Sequence, residues 1–173
     1  SVLLAVGDPD HILDKVRERA GNIVLAEDMG AIITRESVAR LNEAVDAAES
    51  AGAKVALDGR RPTAPEGYED GFWFAPTLLD GCAKDSDAAK VELFGPVLTV
   101  IRCENLSEAL AIENSSDYGN AASVFTQSGA VAERFAGEAQ AGMVGVNIGV
   151  PVPREPFSFG GIQASKFGQG DIT

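Results

Sequence analysis

The sequence predicts an α/β fold: an open, mostly parallel sheet with helices on both faces. Segments with a helical period alternate with short β-branched runs, and no stretch is low in complexity or repeated at a fixed interval. The length points to a single domain over residues 1–173, because a chain of 173 residues buries roughly 70% of the surface its unfolded form exposes. Neither disulfides nor a structural metal are then needed to hold it.

Asp8 reads as an N-cap and Pro9 as the first helical residue, followed by an apolar stripe of Ile12, Leu13, Val16 and Ala20 that Gly21 ends. Residues 23–25 read as an edge strand or the strand leading into the sheet. Thr34 caps a long second helix with Val38, Leu41, Val45 and Ala48 at helical spacing. Its other face carries Arg35, Glu36, Glu43 and Glu49 into solvent, and Gly52 suits a left-handed stop. Residues 54–57 form a strand closed by Asp58-Gly59, and residues 60–71, with Pro62, Pro65, Gly67 and Gly71, form a loop. Residues 72–79 read as extended, Pro76 implying an edge position or a bulge. Residues 97–101 make a further strand, Ser107 caps a helix through Ile112, and residues 121–125 make a short buried strand. An Ala-rich helix over 131–141 stops at Gly142, and the strand over 143–146 closes the series. From Gly149 the chain is rich in Gly and Pro and reads as a surface segment.

The 14 basic residues against 26 acidic ones give a net charge of −12. Nucleic acid and anionic membranes both prefer a basic face, and no basic cluster exceeds Arg60-Arg61. Two distant cysteines, Cys82 and Cys103, without a CxxC and with His11 as the one histidine, argue against a zinc site. The opening residues 1–6 are too short for a secretory segment or a membrane span. The expected compartment is the cytoplasm.

Two constellations could carry chemistry. In Glu92-Leu-Phe-Gly-Pro96 an acidic residue, an aromatic and a turn pair arrive just before a strand. Spacing alone favours a loop with a core Phe; a carboxylate held there could also accept from two adjacent ribose hydroxyls. In Pro156-Phe-Ser-Phe-Gly-Gly161, paired glycines permit close backbone approach and two aromatics could wall an apolar slot, or plug the sheet edge. Asn147 lies where sheet crevices bind ligands, or serves as a turn residue. Cys82, between Asp80 and Asp85, is a poor nucleophile because those charges oppose a thiolate. Cys103 reads as a buried thiol and His11 as a surface residue.

Taken in order, these stretches resemble the catalytic domain of the aldehyde dehydrogenase superfamily. Glu92-Leu-Phe-Gly-Pro-Val97 is similar to its Glu-Glu-aliphatic-Phe-Gly-Pro-Val element, and Tyr118-Gly119 with residues 122–126 to its Tyr-Gly-Leu-x-Ala-x-Val-Phe-Thr. Residues 142–147 and 156–161 resemble its Gly-x-Val-x-x-Asn and Pro-Phe-Gly-Gly pair. Gly149-Val-Pro-Val-Pro153, Asn120 and Phe157-Ser-Phe159 are closest to the methylmalonate-semialdehyde dehydrogenase branch, whose members oxidise an acyl semialdehyde to an acyl-coenzyme A. Departures are Val91 for the first Glu of the pair, Ala31 for a usual Pro, and Gly161-Ile-Gln-Ala-Ser165 where a Lys is frequent.

The resemblance implies NAD as cofactor, coenzyme A as a possible acyl acceptor and a small semialdehyde as substrate. It implies that Glu92 binds the nicotinamide ribose, Phe94 packs beside the nicotinamide and Phe159 lines the aldehyde pocket. The family's reaction needs a cysteine thiolate to attack the aldehyde and NAD to take the hydride. That nucleophile lies, in the family, shortly before the segment that Ser1-Val-Leu-Leu4 resembles. The expectation is therefore a partial catalytic domain, with no catalytic residue and no metal ligand of its own, lacking the cofactor-binding domain and the C-terminal oligomerisation strand. Such a fragment should be inactive alone, and its partner would be a cofactor-binding domain or a second copy. The alternatives are a noncatalytic binding or assembly module with the same fold, and a domain using residues 156–161 for another small ligand.

Overall fold

A computed structural model of the chain describes residues 1–149, 151–152, 154 and 160–165. They fall into two compact units, Ser1–Glu104 and Asn105–Thr173.

The first unit holds β1 (Val2–Val6), α1 (Asp10–Gly21), α2 (Arg35–Ser50), β2 (Lys54–Leu57), β3 (Thr77–Asp80), α3 (Asp87–Lys90) and β4 (Val97–Cys103). The sheet runs β1-β4-β3-β2. β1 and β3 each pair parallel to β4, and β2 pairs antiparallel to β3 with a register shift between Val55 and Leu57. Successive strand residues point to opposite faces, and the core divides accordingly. Leu79 and Val97 pack with Leu41, Val45 and Ala48 of α2, Ala88 of α3, and Phe74. Leu78 and Val100 pack with Ala5 and with Leu13 of α1. Helices therefore cover both faces, as the sequence predicts, and the near-continuous apolar run of β4 reflects burial on both sides.

Local chemistry explains which boundaries follow prediction. Thr34 caps α2, its hydroxyl accepting from Ser37 N at 3.1 Å, and Gly52 takes the left-handed conformation at φ +98°. α1 starts at Asp10 with Pro9 at the cap position, one residue later than expected, and Ile12 faces solvent, leaving Leu13 and Val16 to make the contact. Residues 23–25 are not a strand. The Asp28 carboxylate accepts from Val24 N at 2.9 Å while Asp28 N donates to Val24 O at 2.8 Å; these reciprocal bonds close a turn in place of a ladder. The extended stretch joins the sheet only from Thr77. Pro76 has no donor to give, so the interior strand begins after it, and Phe74 fills the core at 1% exposure.

The second unit holds α4 (Leu106–Asn114), β5 (Tyr118–Gly119), β6 (Ala121–Val124), α5 (Gly129–Glu138), β7 (Met143–Val146) and β8 (Ile162–Gln163). β6 pairs parallel with β7, and β5 antiparallel with β8. Asn105, not Ser107, caps α4: its extended backbone aims the side-chain oxygen at Glu108 N, 3.0 Å away. Ser128 caps α5, which starts two residues earlier than expected and ends at Glu138. β6 is half-buried rather than buried, and Phe125 beyond it is exposed. No helix among the described residues is long and apolar enough to cross a membrane.

Candidate functional site

The segment from Val91 to Pro96 links α3 to β4 and is tied down from below. The Leu93 side chain sinks into the α2 side of the core at 8% exposure, and its carbonyl accepts a hydrogen bond from the Arg40 guanidinium of α2. Gly95 lies against Leu41, its carbonyl accepting from Val97 N at 2.8 Å. Pro96 O accepts from Thr77 N at 2.8 Å, joining the end of the loop to β3.

This anchoring reverses the reading that spacing alone favours, a core Phe at position 94. Leu93 is the inward side chain, while Phe94 is 77% exposed and adopts φ +53°. A left-handed conformation is uncommon for an aromatic residue and persists only where surrounding contacts impose it. Glu92 is exposed as well, and no hydrogen bond or ion pair engages it among the described residues. The loop thus exposes a carboxylate with two open oxygens and, two residues further on, a bare aromatic ring. That pair suits a ligand carrying vicinal hydroxyls next to a flat ring. Val91, in the place of an acidic residue, is exposed beside them.

Phe159 lies outside the described residues. The glycines that follow it do pack closely: a Cβ on Gly161 would stand 2.5 Å from the Ser165 Cβ and 3.0 Å from the Asn120 Cα, and Ser165 Oγ accepts from Gly119 N at 3.1 Å. Asn147 is a bracket. Its Oδ1 accepts from Thr126 N at 2.9 Å and its Nδ2 donates to Thr126 O at 3.0 Å, at φ +56°. Both ends of the amide serve the backbone, so the turn reading holds for it.

Both cysteines are buried, Cys82 at 5% and Cys103 at 3% exposure. Burial pushes the Cys82 thiol up, with the Asp80 charge adding to the effect. His11 is exposed on α1. Arg102 bridges Asp80 and Asp10, and Arg60 gathers Asp46, Glu49 and Asp58. These ion pairs tie strands and helices of the first unit and leave the loop at 91–96 untouched. Sequence reasoning placed Leu41 in the apolar stripe of α2 but missed its contact with the loop, and it missed Arg40 altogether, since nothing in helical spacing marks either as a loop support.

The family model for the aldehyde dehydrogenase family matches residues 9–173. The chain belongs to the aldehyde dehydrogenase family. This aldehyde dehydrogenase chain is 38% identical over 171 residues to the Arabidopsis thaliana protein named methylmalonate-semialdehyde dehydrogenase (acylating), mitochondrial, covering 95% of itself and 28% of that protein. The crystal structure of methylmalonate-semialdehyde dehydrogenase from Oceanimonas doudoroffii aligns with a TM-score of 0.92 at 35% identity, over 98% of this chain and 36% of that one. Betaine aldehyde dehydrogenase from Staphylococcus aureus, solved in complex with NAD+, aligns with a TM-score of 0.85 at 30% identity, over 94% of this chain and 33% of that one. This aldehyde dehydrogenase chain thus spans about a third of the length of the proteins it matches.

Proposed function

We propose that the chain forms the catalytic-domain portion of an NAD-dependent aldehyde dehydrogenase that oxidises a malonate- or methylmalonate-semialdehyde-like substrate to an acyl-coenzyme A. One observation carries the reading: a loop pinned by α2 presents Glu92 and Phe94 to solvent together. NAD, when bound, supplies the hydride acceptor. Glu92 accepts from the two hydroxyls of the nicotinamide ribose, fixing the sugar's orientation with charge-assisted bonds. Phe94 packs its exposed ring beside the nicotinamide and excludes water from that side. Phe159 lines the aldehyde pocket in this proposal. The acyl acceptor rests on the word acylating in the Arabidopsis relative's name.

The chain by itself does not turn over in this reading, because its two cysteines are buried. The parallel register supports where a nucleophile would come from. Val2 pairs with Thr99 and Thr99 N donates to Ser1 O at 3.1 Å, so any segment leading into β1 approaches the end of the sheet where the loop at 91–96 enters β4. A cofactor-binding domain or a second copy completes the enzyme. The cytoplasm is part of the proposal, and fractionation separates it from the mitochondrial location in the Arabidopsis relative's name.

The test is a titration of the chain with nicotinamide mononucleotide, followed by NMR. Saturable shifts at Glu92 and Phe94 are expected, with Glu92→Gln weakening binding about tenfold at unchanged Tm. Shifts confined to other residues overturn the site, and NADH formation from semialdehyde by the chain alone overturns the stated inactivity.

A further inference from the structure

Phe94 sits in a conformation its side chain disfavours, so something must hold it there. The Leu93 side chain and the Gly95 contact with Leu41 secure the residues on either side. They do not fix the plane of the peptide between Leu93 and Phe94. Rotation of that plane changes ψ of Leu93 and φ of Phe94 together, while the flanking Cα atoms scarcely move; it interconverts turns that have positive and negative φ at the second position. The carbonyl oxygen marks the plane's direction. In this structure the Leu93 carbonyl accepts from Arg40, 53 residues away in sequence, and Phe94 stands at φ +53°.

Resting on the reading of residues 92–95 as the ribose-binding loop, we propose that Arg40 is a positioning residue: by gripping the Leu93 carbonyl it locks the 93–94 peptide plane and so aims Glu92 and Phe94 at one ligand. Arg40 touches neither ribose nor nicotinamide. Its guanidinium, carried by an exposed residue of α2, donates a charge-assisted bond, stronger than a neutral one. With the plane released, Phe94 relaxes toward negative φ and its ring swings away from its present direction. The bond from Val97 N to Gly95 O and the burial of Leu93 persist, so the loop keeps its anchor and loses only its aim.

The experiment uses the isotopically labelled chain, with wild type, Arg40→Met and Arg40→Lys compared. Backbone couplings of Phe94 report the sign of φ without ligand, and a nicotinamide mononucleotide titration reports the site. Arg40→Met keeps the aliphatic stem and loses every donor; it should shift Phe94 to negative φ and raise the Kd about fivefold or more. The core signals of Leu41, Phe74 and Val100 should stay in place. Arg40→Lys, which retains a cationic donor, should restore part of both, a rescue that a merely structural role does not predict. If Arg40→Met does not fold, Arg40→Gln takes its place with the same expectation. Positive φ at Phe94 and wild-type affinity in the folded neutral variant overturn the lock. Absence of nucleotide binding by the wild type overturns the ribose-loop reading instead, and the couplings still decide the role of Arg40.

Discussion

Gly95 and Leu41 are in contact so close that a Cβ on Gly95 would stand 2.5 Å from Leu41 Cδ2 and 3.1 Å from its Cγ. Leu41 is fully buried, so its side chain must shift within the core to make room. Gly95→Ala should therefore destabilise the first unit by about 1–3 kcal/mol through overpacking, measured as a lowered urea midpoint with an unchanged m-value. A midpoint equal to wild type shows that α2 yields and that the loop is not seated as described.

Thiol labelling checks the chain's own cysteines. Cys82 and Cys103 should be almost inert to an aromatic disulfide reagent in the native state and react rapidly in denaturant, since burial both hides the sulfur and, at Cys82, raises the thiol above its ordinary range. Fast native labelling of either one contradicts that picture.

Two carboxyls should make stability respond to pH in opposite directions. The Arg102 guanidinium bonds both oxygens of Asp80, at 3.0 and 2.9 Å, and holds its carboxyl below the ordinary value of 3.8. The unfolded chain protonates first as pH falls, so this stabilisation is present above 3.8 and lost as pH drops through the folded value. Asp80→Asn should make the acid loss of stability shallower. Glu113 behaves the other way. Burial pushes its carboxyl above 4.5, partly offset by the bond from Gln140 N, so the native state holds that proton more tightly. Stability should then decline as pH rises from 4.5 through the raised value, and Glu113→Gln should flatten that decline in denaturant midpoints measured across pH.

Removing the Asn147 amide costs two hydrogen bonds to Thr126 and leaves a side chain other than Gly or Asn at positive φ. Asn147→Ala should lower stability by about 1–3 kcal/mol, and Asn147→Gly by less because glycine accepts the conformation. Differential scanning calorimetry of both variants decides it; equal loss would mean that the bracket alone matters.

What was legible in the sequence was local. Thr34 and Gly52 bound α2 because a cap hydroxyl and a left-handed glycine act within a few residues, and the alternation of periods produced the two-faced sheet. The loop's aim was not legible. Leu93 and Phe94 are both apolar, and Leu93 turns inward onto core residues of α2 that are distant in the chain. Asn105 and Ser107 are both good caps, and the extended backbone at Asn105 selects between them. Glu92 was legible as a chemical type and as part of a motif, while its lack of partners among the described residues came from the fold.

The two outer strands of the four-stranded sheet differ in how they meet water. β2 opens on Lys54 and has an irregular register, features that discourage another strand from adding. β1 reads Val-Leu-Leu-Ala-Val without a charge, in regular register with β4 and with no strand on its outer side among the described residues. A net charge of −12 opposes the close approach of two copies at low ionic strength. Colloidal behaviour should track ionic strength: raising salt shortens the Debye length to about 3 Å at 1 M, and precipitation should set in before any loss of secondary structure.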